Sequence, residues 1–240
     1  MAIQAGEDTF YQASRKVIQD GLVFSVDPSV NNTRSVTTMR SIGGNRNVTL
    51  VNGPVFQKSR GGAYRLGGTN EYMNIVENGT VSVADFPISI SCWFKTTNSG
   101  MIYMQTSQPA SAGDSLRLNV GSSVQYNVRY SNIFASLTDT SVNVTDGNWH
   151  NAVGVSSSSN NHKLYVDGSL IDSDTTDVAS IATHVTSVIG CNYDYNSRRN
   201  TVLLGNFFNG DISRVSIYNK ALTAAEVLQN YNATKHRFGV

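Results

Sequence analysis

The chain has 240 residues, with 18 Lys and Arg against 17 Asp and Glu and a net charge of +1. The densest basic spots, Arg15-Lys16, Arg198-Arg199 and Lys235-His236-Arg237, are each short, so no nucleic-acid partner is expected. No apolar stretch approaches the roughly 18 residues of a membrane span, so no membrane partner is expected either. Close to three residues in ten are Ser, Thr or Asn, beside 20 Gly and 4 Pro, a mix that suits short strands and turns rather than a helical bundle.

The first residues, Met1 to Asp8, have neither a basic n-region nor an apolar h-region, so synthesis in a cytosol is expected. Residues 1–20 sit outside the strand pattern and read as an N-terminal arm or leader, with residues 21–240 as one domain. The arm carries Phe10, Tyr11, Arg15, Lys16, Val17 and Ile18. Apolar groups like these need a surface to dock on, and a partner protein or a neighbouring copy is the expected one.

From residue 21 onward the pattern is one of short strands broken by Gly, Asn and Asp turns. Strands are predicted at 21–27, 47–51, 62–66, 72–76, 88–96, 101–105, 115–120, 124–130, 149–155, 162–167, 169–173, 184–190, 202–205 and 211–218. Alternation is clearest in Ile88-Ser89-Ile90-Ser91, which predicts one face on a core and the other in water. Cys92 and Cys191 both fall on the apolar parity of a strand and read as buried free thiols. Asp167-Gly168 between two short apolar runs predicts a type I′ hairpin. Thr223-Ala224-Ala225-Glu226 is a capping box, with Leu222 and Val227 as its staple and Val227, Leu228 and Tyr231 as the docking face of a helix. The fold class is therefore all-β, a sandwich of about a dozen strands with one short C-terminal helix.

Several of these segments, in order, resemble a laminin-G-like jelly roll of the concanavalin A-like lectin/glucanase superfamily. They are Gly21 to Asp27, Leu50 to Phe56, Ile88 to Lys95, Asn148 to Val153, Lys163 to Gly168 and Phe208 to Thr223. The resemblance implies a two-sheet antiparallel jelly-roll sandwich. The tail, Asn230 to Gly239, is similar to the ending of jelly-roll proteins of tailed bacteriophages. That similarity implies a non-enzymatic virion protein, a capsid decoration or accessory surface protein made in the host cytoplasm. Its implied partners are other virion proteins, the major capsid protein first, a further copy of itself, and glycans. The alternative is a carbohydrate-binding lectin-like adhesin, and a glycoside hydrolase is the remote third reading.

Hydrolysis requires two carboxyl groups about 5 to 9.5 Å apart, and the superfamily's enzymes place them two or four residues apart on one strand. The four Glu, at 7, 71, 77 and 226, give no such pair. Asp172 and Asp174 have the spacing but read as part of a polar loop, so no catalytic residue is expected. The four His show no metal-ligand spacing, and no metal or cofactor is expected, although calcium would suit the oxygen-rich loops. One segment combines aromatic, amide, acidic and basic groups: Asn192, Tyr193, Asp194, Tyr195, Arg198 and Arg199. It reads as a plain polar turn, a sugar contact or a protein contact.

Overall fold

The computed structural model describes residues 16–29, 38–41, 47–76, 85–107, 114–179, 186–196 and 201–240. Its strands begin with β1 (Leu22–Val26), β2 (Thr38–Arg40), β3 (Asn47–Val51), β4 (Val55–Gln57), β5 (Ala63–Gly67) and β6 (Tyr72–Val76). Next come β7 (Ile88–Thr96), β8 (Gly100–Thr106), β9 (Ser115–Val120), β10 (Val124–Tyr130), β11 (Ile133–Thr138) and β12 (Trp149–Ser158). The last are β13 (Asn161–Val166), β14 (Ser169–Asp174), β15 (Thr186–Ile189), β16 (Asn192–Asn196), β17 (Thr201–Gly205) and β18 (Asn209–Tyr218), followed by helix α1 (Ala224–Thr234).

Among the described residues the strands build two eight-stranded sheets and a separate ribbon of β16 and β17. The first sheet runs β14-β13-β12-β7-β18-β5-β4, with β1 also paired to β18; the second runs β11-β10-β9-β8-β15-β6-β3-β2. Together they make the jelly-roll sandwich. Between them lies one core, to which the first sheet gives Phe24, Ile88, Ile90, Cys92, Phe94, Ile212, Val215 and Ile217. The second sheet contributes Val48, Met73, Ile102, Leu116, Leu118, Val124, Tyr126, Val128 and Leu137. Tyr126 crosses the sandwich to β12: its hydroxyl lies 2.8 Å from Ser156 Oγ, and a methyl group placed on Gly154 would collide with its ring. Only glycine leaves the ring that room.

The local signals act as expected where they are strongest. Asp167 and Gly168 both take positive φ, 49° and 82°, as a type I′ turn requires. Thr223 Oγ1 accepts the Glu226 N–H at 3.2 Å while Glu226 Oε2 accepts the Thr223 N–H at 2.9 Å, closing the capping box. Cys92 and Cys191 are free and buried, and burial pushes the Cys191 thiol up to about 12.

Three expectations are corrected. The second face of β7 is not in water: Ser89 and Trp93 are buried, because α1 and the tail cover the outer face of this sheet. Ser89 accepts the Leu222 N–H at 2.9 Å and donates to the Lys220 carbonyl at 2.8 Å, which holds the entry to α1 on the strand. Leu228 is exposed; the helix instead buries Val227, Asn230, Ala233 and Thr234. And β2, β4, β11 and β16 are strands where none was predicted. The first two are three residues long, too short for alternation to register, and β11 presents Ile133 and Phe134 to solvent.

Both ends of the described chain fold back onto the first sheet. Ile18 packs against the cluster of Val153, Val155, Tyr165, Tyr218, Leu222 and Val227, and its N–H donates to Asn230 Oδ1 at 2.8 Å. The Lys16 carbonyl accepts from Gln229 Nε2 at 2.8 Å. At the other end, Phe238 stacks on Trp93 at 4.3 Å and packs against Trp149 at 4.6 Å. Arg237 forks onto the buried carboxylate of Asp27 at 2.7 and 2.9 Å. Burial raises the Asp27 pKa, but the bonds and charge of Arg237 and the bonds from Ser29 outweigh it, and the net shift is downward. Among the described residues no helix is long and apolar enough to cross a membrane.

Candidate functional site

The second sheet differs from the first in that its outer face is partly open. On β9 the inward residues Leu116, Leu118 and Val120 alternate with Ser115, Arg117 and Asn119. On β10 the inward Val124, Tyr126 and Val128 alternate with Gln125, Asn127 and Arg129. A turn at Gly121–Ser123 pairs these strands so that Asn119 faces Gln125, Arg117 faces Asn127 and Ser115 faces Arg129. Every outward position is thus polar, and the six lie side by side because the side-chain period of a strand is two.

These six residues floor a cleft of about 320 Å³. Phe134 on β11 forms one wall, Asn192 and Asn206 lie opposite, and Met101 completes the lining. Asn119 Nδ2 donates to Gln125 Oε1 at 2.8 Å, Asn127 Nδ2 to Asn119 Oδ1 at 3.2 Å, and Ser136 Oγ to Asn127 Oδ1 at 2.8 Å. The three amides and the Ser136 hydroxyl therefore form one ladder across three strands, each orienting the next. The Arg129 guanidinium lies 4.7 Å from the centre of the half-exposed Phe134 ring, and its Nε donates to the Ser131 carbonyl at 3.0 Å.

Arg117 donates through Nε to Ser115 Oγ at 2.9 Å and reaches Asp194 Oδ1 at 3.4 Å. Burial lowers its pKa, Asp194 opposes the change, and the like charge of Arg129 adds to it; the net shift is downward. A guanidinium starts so high that it stays charged nonetheless.

The segment singled out in sequence is an antiparallel ribbon, with β16 paired to β17 from Asn192–Gly205 to Asn196–Thr201. Its alternation splits the candidates. Asn192 lines the cleft and donates to Asp194, which anchors the ribbon to Arg117. Tyr193 turns away and packs with Met101, Met104, Val188 and Cys191, its N–H on Met104 Sδ at 3.3 Å. Tyr195 is on β16, but its side chain, like Arg198 and Arg199, lies outside the described residues, as do Phe10, Tyr11 and Arg15. Of the N-terminal candidates that are described, Lys16 is exposed, and Val17 and Ile18 are half-buried, with Ile18 packed against the first sheet's outer cluster. The cleft floor itself was missed in sequence, although the alternation of 115–120 and 124–129 with a short turn between them carries the signal.

Asp172 and Asp174 are on strand β14, not in a loop, and their carboxylates accept the backbone N–H groups of Thr138 at 2.9 Å and Ser136 at 3.0 Å. Acceptors held this way clasp β14 to β11 and are placed for structure. Among the described residues that line the cleft there is no carboxylate. Among the described residues no group of three or more His, Cys, Asp or Glu is placed to hold a metal ion.

Two antiparallel sheets packed as a jelly roll, one face of which carries a polar cleft, define a concanavalin A-like domain. The chain belongs to the Laminin_G_3 family of the concanavalin A-like lectin/glucanases superfamily, whose model matches residues 67–228. Among solved structures it is similar to the binding domain of botulinum neurotoxin serotype D, with 15% identity and a TM-score of 0.67, covering 89% of this chain and 51% of that one. The serotype D ligand-binding domain in complex with N-acetylneuraminic acid gives 15% and 0.66, over 91% and 52%. The binding domain of Paraclostridial Mosquitocidal Protein 1 gives 15% and 0.65, over 89% and 52%. The chain spans about half the length of these chains, and at this identity the likeness is one of fold. Comparison with curated proteins finds no match.

Proposed function

We propose that this chain is a non-enzymatic, carbohydrate-binding lectin-like module whose sugar site is the cleft on β9, β10 and β11. One observation carries this reading: a row of oriented amides and guanidinium groups lies beside an exposed aromatic ring. Sugars present hydroxyl rows that pair with such groups and a C–H face that packs on a ring. The family is named in part for lectins, and one similar structure is described with a bound sugar. The test is a glycan array probed with the intact protein and with Asn119→Ala and Asn127→Ala, whose side chains lie on the outer face. Binding by the parent and its loss in both variants, with unchanged melting, supports the reading. An array without signal, or variants that bind as the parent does, overturns it. Incubation with β-glucans is expected to release no reducing sugar.

A second reading, a virion surface protein, draws on the phage-like tail and on one structural observation. Val202, Leu203 and Leu204 of β17 are all exposed, an apolar edge suited to a protein contact. In this reading the partner is the capsid or another copy, and the leader with Phe10, Tyr11 and Arg15 shares in attachment. Mass spectrometry of purified particles tests it. The protein is expected to co-purify with virions, and Val202→Ser with Leu204→Ser to weaken that association.

A further inference from the structure

We propose that the ligand of the cleft is an acidic glycan whose carboxylate or sulfate group is held between Arg117 and Arg129. This rests on the reading of the cleft as a sugar site. The two arginines occupy diagonal positions on β9 and β10: Arg117 faces Asn127, and Arg129 lies two residues further along β10. Diagonal neighbours of this kind are about 7–8 Å apart at Cα, within reach of each other's long side chains.

Two cations set this close repel, and that repulsion is a cost unless an anion joins them. The structure supplies only part of one. Arg117 has Asp194 at 3.4 Å, a carboxylate that is itself nearly half exposed. Among the described residues Arg129 has no carboxylate partner, only the Ser131 carbonyl and the Phe134 ring.

The hydrogen-bond arithmetic of the floor points the same way. In the ladder each amide oxygen already accepts a bond: Gln125 Oε1 from Asn119, Asn119 Oδ1 from Asn127, and Asn127 Oδ1 from Ser136. The Asn192 Oδ1 atom is shut away from solvent without a donor, so it offers nothing to the cleft. Each of those oxygens keeps a second lone pair, but N–H groups outnumber them: two on the Gln125 amide, one each on Asn119 and Asn127, and those on the outer nitrogens of both guanidinium groups. A neutral sugar, whose hydroxyls both give and take, matches such a floor less well than an oxyanion, which only accepts. A planar guanidinium also pairs with carboxylate or sulfate oxygens through two parallel bonds.

The experiment uses the full chain on an array carrying neutral oligosaccharides beside carboxylated and sulfated counterparts of the same backbones. Binding to one acidic class at least about tenfold above the neutral counterpart is expected, the scale of one charge-assisted hydrogen bond. The two acidic arms tell a carboxylate from a sulfate. Arg117→Gln and Arg129→Gln should each remove most of that preference, and high salt should weaken acidic binding in the parent without any substitution. The salt series keeps the test decisive should a variant not fold. Equal or tighter binding of the neutral counterparts overturns the acidic ligand while leaving the sugar site standing. An array with no bound glycan of any kind overturns both.

Discussion

The Asp172 carboxylate and the Thr138 backbone join the two sheets where the sandwich would otherwise stand open, with Asp172 Oδ2 accepting the Thr138 N–H at 2.9 Å. Asp174 Oδ2 does the same for Ser136 at 3.0 Å. Strand β11 is the edge of its sheet, and an edge with bare N–H groups is a template for unwanted pairing. Replacing both carboxylates, Asp172→Ala with Asp174→Ala, is expected to cost about 1–3 kcal/mol. Urea titration measures the loss, and amide exchange at Ser136 and Thr138 should accelerate more than elsewhere.

The C-terminal tail is expected to be a structural closure. Arg237→Ala leaves the Asp27 carboxylate without its strongest partner, and a cost of about 3 kcal/mol is expected, the low end for breaking a buried pair because Arg237 is itself partly exposed. Asp27 has a lowered pKa in the folded chain. Its contribution is therefore complete above the unfolded carboxylate value and fades as pH falls through the folded one. In acid titrations followed by circular dichroism, the parent should lose stability over this range and the variant should lose less.

His150 has the opposite sign. Burial opposes its charge, but hydrogen bonds and charge from Asp167 at 2.8 Å and Asp146 at 3.2 Å outweigh it, so its pKa is raised from 6.5. A raised folded value gives stability that is whole below the unfolded value and lost as pH climbs through the folded one. The melting temperature is expected to fall as pH rises from the unfolded value near 6.5 through the raised folded one. His150→Gln should flatten that slope, whereas a slope unchanged in the variant assigns it elsewhere.

Phe134 separates binding from folding. Its ring is half exposed and touches Arg129 rather than the core. Phe134→Ala should leave the unfolding free energy within about 0.5 kcal/mol of the parent, as surface changes do. Glycan affinity should fall about tenfold, the scale of lost ring stacking and cation–π contact.

How much of this was legible in sequence depended on range. The Asp167-Gly168 turn, the Thr223 capping box and the strands at 115–120 and 124–130 are written in a few adjacent residues, and all are found. What α1 and Phe238 do to the second face of β7 was not readable there. The contact between Trp93 and Phe238 joins residues 145 positions apart, and nothing local in Ile88-Ser89-Ile90-Ser91 announces a cover. The same holds for Asp172 and Asp174, whose partners belong to the other sheet. In the ribbon, polar composition concealed a strand, since Asn192–Asn196 pairs through its backbone with a partner that only the fold brings near.

The alternation along β9 and β10 divides two jobs between neighbouring residues. Leu116, Leu118, Tyr126 and Val128 hold the fold, while Arg117, Asn119, Gln125 and Asn127 meet the solvent, and neither set borrows from the other. Such a surface can be rewritten letter by letter. Variants randomised at the outward positions would keep the same backbone while sampling new recognition, which makes this sheet a ready-made scaffold for selecting binders.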